Sequence, residues 1–123
     1  MKRLSLQEEE AMFILWRLGK GFVRDVLEQY PEPKPPYTTL SSTIKKLETK
    51  SFVKSKQYGV TREYQPIVSE EDYKKQSVSG FVKNYFADSY SDVVSFFAKE
   101  RAISADELRE IIRLIEHQEH PHS

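Results

Sequence analysis

In the run PPYTTLSSTIKKLETK, residues 35–50, the side chains able to bond outside the chain are, Glu48 apart, hydroxyls and ammoniums. On a helix turning about 100° per residue, Leu40, Ile44 and Leu47 share one side. With that side inward, Thr38, Ser41, Ser42, Lys45, Lys46 and Thr49 face out. The hydroxyls gather in the first turns and the lysines in the later half. Short Thr and Ser side chains let a helix approach closely, donate or accept at base edges and offer a methyl to thymine. Lysines suit phosphates. The plain alternative is a solvated amphipathic face. Against it, the helix-favouring residues Glu and Gln are nearly missing from that face, although Ser and Thr lower helix propensity.

Charge supports the sharper reading. The chain of 123 residues has a formal net charge of zero, yet residues 1–66 hold 12 Lys and Arg against 8 Asp and Glu, a net +4. Residues 67–123 hold 7 against 11, a net −4, and residues 37–62 alone reach +5. A basic head on an acidic second module fits a polyanion partner, because a phosphate backbone responds to local field. Thr38, Thr39, Ser41, Ser42 and Lys46 are therefore assigned to base edges. Lys45, Lys50, Lys54, Lys56 and Arg62 are assigned to phosphates, and Thr39 lies nearest the buried side. Tyr37 reads as a core or cap residue. Tyr58 and Arg62 read equally well as a surface pair beside a turn.

Other chemistry finds little footing. There is no cysteine, so no disulfide, thiolate metal site or Cys nucleophile. No P-loop, GxSxG or HExxH pattern occurs, and no enzymatic activity, cofactor or small-molecule substrate is expected. His117, His120 and His122 with Glu116 and Glu119 have ligand chemistry, but Pro121 and the chain end deny them a rigid frame. A fraying tail, HQEHPHS, and no metal site are expected. No apolar run nears the roughly 18 residues a bilayer requires. LSLQEEE follows Lys2 and Arg3 where a signal peptide needs an apolar stretch, so the chain reads as cytoplasmic.

The elements that must position these groups are legible from caps and periods. Ser5-Leu6-Gln7-Glu8 is a capping-box pattern opening a helix to about Leu18, with Ala11, Met12, Leu15 and Trp16 inward and Gly19 as its stop. Glu8, Glu9 and Glu10 suit the positive end of that helix. Val23, Val26, Leu27 and Tyr30 mark a second short helix. YPEPKPP forbids helix, and the opening run is the third. FVKSKQY and REYQPIV read as strands around the tip Gly59-Val60-Thr61, with Pro66 placing the second at an edge or where no amide is needed. The fold class is mainly α: a winged helix-turn-helix of three helices plus a small antiparallel wing over residues 1–68. A helical dimerisation domain over 69–123 follows.

In that second domain Ser69-Glu70-Glu71-Asp72 opens a helix carrying Tyr73, Val78, Phe81, Val82, Tyr85 and Phe86. A segment from about Ser91 carries Val93, Val94, Phe96 and Phe97. Ser104-Ala105-Asp106-Glu107 caps a last helix striped with Leu108, Ile111, Ile112 and Ile115. So small a unit cannot bury that much apolar surface alone. Phe81, Tyr85, Phe86, Phe96, Phe97, Leu108, Ile111, Ile112 and Ile115 are expected to pack against a second copy, making a homodimer.

EEEAMFILWRLGKGFVRDVLEQYPEPKPPYTTLSSTIKKLETKSFV followed by TREYQPIVSEEDY resembles the BlaI/MecI/CopY penicillinase-repressor family. The matching pieces are the acidic-to-Trp first helix, the Y-x-T opening and L-E-x-K end of the third helix, and the E-Y-x-P return strand. The resemblance implies a dimeric repressor on double-stranded DNA, at a palindromic operator. It also implies, as in several members, a membrane-bound metallopeptidase sensor that cleaves the dimerisation domain. The nearest match to the scissile bond is Phe96-Phe97, where Phe96 replaces the usual polar amide, and dimer-core aromatics explain the pair better. The cysteine pairs of the copper-responsive branch are absent. An alternative is a winged-helix protein-interaction module without specific DNA binding. A ligand-gated regulator using the aromatic second half is a weaker third.

Overall fold

The computed structural model describes residues 1–119. Among them run α1 (Leu6–Leu18), β1 (Gly21–Phe22), α2 (Val23–Glu28), α3 (Tyr37–Thr49), β2 (Val53–Tyr58), β3 (Thr61–Pro66), α4 (Glu70–Phe86), α5 (Tyr90–Lys99) and α6 (Ala105–Glu119). The chain is thus mainly helical with one small antiparallel sheet, a winged helix followed by further helices. Contacts divide it into two compact units between Lys75 and Gln76, inside α4.

In the first unit α1 begins as its capping box requires. The Ser5 hydroxyl accepts from the Glu8 amide at 3.1 Å, and Glu8 Oε1 accepts from the Ser5 amide at 2.7 Å. Gly19, at φ 83°, turns the chain out of the helix. α1 contributes Ala11, Met12, Ile14 and Leu15 to the core, α2 Val23 and Val26, and α3 Leu40, Ile44 and Leu47. Trp16, expected inward, is half-buried, and its indole nitrogen donates to the Val68 carbonyl at 2.9 Å.

α3 ends in a Schellman pattern. The Phe52 amide donates to the Leu47 carbonyl (2.9 Å) and the Ser51 amide to the Glu48 carbonyl (3.0 Å), with Ser51 at φ 64°. Phe52 and Leu47 are both fully buried, so the apolar contact of that motif is also the floor of the core.

The sheet departs from expectation in two ways. Its order is β1-β3-β2, so β3 is central, and of the two placements that Pro66 left open the edge strand is not the one taken. Two residues, Gly21 and Phe22, pair with Tyr64 and Glu63, a strand too short to leave a period in the sequence. Pro66 is tolerated because it ends β3 opposite Val53, beyond the reach of β1. The hairpin loop is Gly59-Val60, with Gly59 at φ 59°, and Thr61 already belongs to β3. A three-residue tip would have paired Tyr58 with Arg62. The two-residue loop pairs Gln57 with Arg62 instead, and a one-residue shift of register moves a side chain to the other face.

Glu8 is the buried acid of the first unit, and its partner is Lys50, 2.7 Å away, whose ammonium also donates to the Arg3 carbonyl at 2.8 Å. Burial pushes the Glu8 carboxyl up. The Lys50 bond, the Ser5 bonds and the Lys50 charge together outweigh it and hold the carboxyl below its ordinary value of 4.5. A depressed folded value adds stability that is present above the unfolded value and lost as pH falls through the folded one. Stability is therefore expected to fall below pH 4.5 partly through Glu8. Glu8→Gln, which keeps the cap, should cost about 1–2 kcal/mol at pH 7. Its penalty should shrink in the acid limb, and thermal unfolding of both proteins from pH 3 to 7 checks this. A penalty independent of pH would remove the ion pair from the account.

The second unit holds the rest of α4 with α5 and α6. Ser89 and Ser104 cap α5 and α6 through the amides of Asp92 and Glu107, at 3.2 and 3.1 Å. α6 continues through His117 to Glu119, where the sequence suggested fraying; His120 and His122 lie outside the described residues. Val82 is buried, whereas Phe81, Tyr85, Phe96, Ile111, Ile112 and Ile115 remain exposed. Phe81, Phe86, Phe96 and Phe97 form a chain of ring contacts with centroids 5.4–5.8 Å apart.

Candidate nucleic-acid interface

α3 stands between the core and solvent as its period demands. Leu40, Ile44 and Leu47 are buried, Thr38, Ser42, Lys45, Lys46 and Thr49 are exposed, and Ser41 is half-buried. Thr39, placed nearest the buried side by sequence, is exposed. Thr43 is the hydroxyl that turns in, donating to the Thr39 carbonyl at 3.0 Å. The cap position is Pro36, whose side chain makes no hydrogen bond, and the first turn has no acid. The open amides of the first turn and the helix dipole leave positive potential beside Thr38 and Thr39.

Upstream, Lys34 fixes where the second helix stops. Its ammonium donates to the carbonyls of Leu27 (3.3 Å), Glu28 (3.1 Å) and Tyr30 (2.5 Å), closing the end of α2 before the proline-rich connection to α3.

The positive face expected of α3 and the hairpin together divides in two. Arg62 shares a sheet face with Ser55 and Gln57 and donates to both, at 3.1 and 3.4 Å, while Ser55 donates to Glu48 of α3 at 2.6 Å. Lys54 and Lys56 alternate onto the opposite face, where Lys56 pairs in register with Glu63 and stands 5.2 Å from the Tyr58 ring centroid. Lys50, assigned to phosphate, is instead held by Glu8 and the Arg3 carbonyl.

Between α3, the α2 start and the Arg62 face of the wing lies an open cleft of about 480 Å³. Its lining includes Arg24, Asp25, Tyr37, Ser41, Lys45, Gln57, Arg62 and Tyr64. Tyr37, read as core or cap, is 47% exposed at its edge. Burial raises the Tyr64 phenol above its ordinary value, and the Glu48 charge adds to the rise, so the floor stays neutral. Arg24 and Tyr37 line this cleft, although sequence reasoning assigns Arg24 no role and takes Tyr37 as core or cap. The α2 period already turned Arg24 away from Val23 and Val26, but only the docking of α2 beside α3 shows what it borders.

A family model described as penicillinase repressor matches residues 4–117. The chain belongs to the penicillinase repressor family. Methicillin resistance regulatory protein MecI of Staphylococcus epidermidis is 23% identical over 113 residues, spanning 91% of this chain and 92% of that protein. As a member of the penicillinase repressor family the chain is a regulatory protein, a repressor of transcription. No helix among the described residues is long and apolar enough to cross a membrane.

Proposed function

We propose that the protein is a homodimeric transcriptional repressor that binds a palindromic operator through α3 in the major groove. The observation that carries the reading is the outward face of α3, hydroxyls first and lysines after, on a helix whose first turn has no acid. Thr38, Thr39, Ser41, Ser42 and Lys46 address base edges. Lys45 and Arg62 hold phosphates, Lys54 and Lys56 add to the field from the far face of the wing, and Lys50 is set aside as a structural cation. The exposed apolar stripe Ile111, Ile112 and Ile115 on α6 supports the dimer. Such a protein acts in the cytoplasm, where its operator lies.

Relief by a membrane-bound metallopeptidase would follow the family pattern. Cleavage at Phe96-Phe97 requires α5 to unwind first, because the Phe96 and Phe97 carbonyls accept from the amides of Glu100 (3.1 Å) and Ala102 (2.9 Å).

The division of labour on α3 is open to a gel-shift series on operator and scrambled duplexes. Lys45→Ala is expected to weaken both by a similar factor, whereas Thr38→Ala and Ser42→Ala should shift the preference between them by about 1–3 kcal/mol per altered contact. Equal losses on both duplexes for all three variants would sink it. Retention on DNA resin across a salt gradient separates this reading from a protein-interaction module, which predicts little salt-sensitive binding.

A further inference from the structure

Three cations from three separate elements border the cleft beside α3: Arg24 from α2, Lys45 from α3 and Arg62 from β3. Arg62 is held in place by Ser55 and Gln57, at 3.1 and 3.4 Å. Arg24 and Lys45 are exposed, and among the described residues neither is in an ion pair. The acid in the lining, Asp25, already accepts from the Phe22 amide at 2.9 Å. Hydroxyls of Tyr37 and Ser41 complete the polar wall. Separated cations with hydroxyl donors suit an oxygen-rich polyanion of spaced charges, as a nucleic-acid backbone is. Ser41 and Lys45 belong both to this wall and to the outward side of α3, so a duplex lying on α3 passes its backbone along the cleft.

We infer that the cleft seats backbone phosphates of the duplex that α3 reads, and that Arg24 is a phosphate-holding residue. The inference rests on the operator reading above and extends it to the start of α2. Arg24 then fixes the angle at which α3 enters the groove, since phosphate contacts set register and orientation without reading sequence.

The test uses the full chain and duplexes selected by the wild-type protein from a random pool, with scrambled duplexes beside them, across 50–200 mM salt. Arg24→Ala is expected to weaken binding to both duplexes alike, about tenfold per half-site, and to lower the log–log salt slope by about 0.9 per site. Arg24→Lys should recover most of the affinity, and Lys83→Ala, the same charge change on α4, should leave affinity and slope as they are. An unchanged slope in Arg24→Ala overturns the inference, whether affinity falls or not, because a merely misplaced helix releases no fewer counterions. An equal loss in Lys83→Ala overturns it too, reducing the effect to net charge. Wild-type binding with no salt dependence overturns the operator reading itself, and this inference with it.

Discussion

Ile112→Asp is expected to leave the protein monomeric at micromolar concentration and to lower operator affinity roughly 10²–10⁴-fold, the advantage that linking two half-site readers confers. Ile112 is 54% exposed within one chain, on the same α6 stripe as Ile111 and Ile115. A carboxylate there costs the isolated chain little, whereas burying it unpaired against a second copy costs several kcal/mol. The first unit has its own core and should keep its unfolding transition, so the loss would be one of assembly. Ile112→Leu should behave as wild type. Sedimentation equilibrium paired with gel shifts reads both effects. A variant that stays dimeric and binds normally would move the interface off α6.

Phe52→Ala should destabilise the first unit by about 3–5 kcal/mol, the range for removing a fully buried aromatic. Phe52 is 0% exposed. Its ring meets Tyr73 edge to face at 5.8 Å, its amide closes the end of α3, and its carbonyl accepts from Ile67 at 2.8 Å. Ala would keep the backbone bonds and lose the ring, leaving a cavity beneath α3, α4 and the wing. Against a total stability of about 5–15 kcal/mol for a domain, this is a large share. Phe13→Ala, at 37% exposure, should cost far less. Urea unfolding of the three proteins compares them directly, and similar losses for both variants would contradict the placement of the core.

These two residues also mark how far the sequence reaches. Ile112 on an apolar stripe could be read from spacing alone, because i, i+3 and i+4 neighbours on a helix are fixed by its pitch. Phe52 could not be singled out: its weight comes from Leu47 before it and Tyr73 after it, brought together by the end of α3. The hairpin shows the same limit at finer grain. Its strands were legible, but a tip one residue too long places Arg62 with Lys54 and Lys56, and the true register sends it to the other face.

The caps at Ser5 and Ser104, the inward Leu40, Ile44 and Leu47, and the outward hydroxyls and lysines of α3 were written in the chain itself. Each depends on neighbours within about one helical turn, where covalent geometry leaves little choice. What the tertiary structure alone decided was where Lys50, Tyr37 and Arg24 point their chemistry. Lys50 meets Glu8 across 42 positions of sequence. Tyr37 and Arg24 come to one cleft because α2 docks against α3, and β1 joins the sheet because that docking brings Gly21 beside Tyr64. Such pairings are set by how apolar faces pack, and packing joins residues that share no local period.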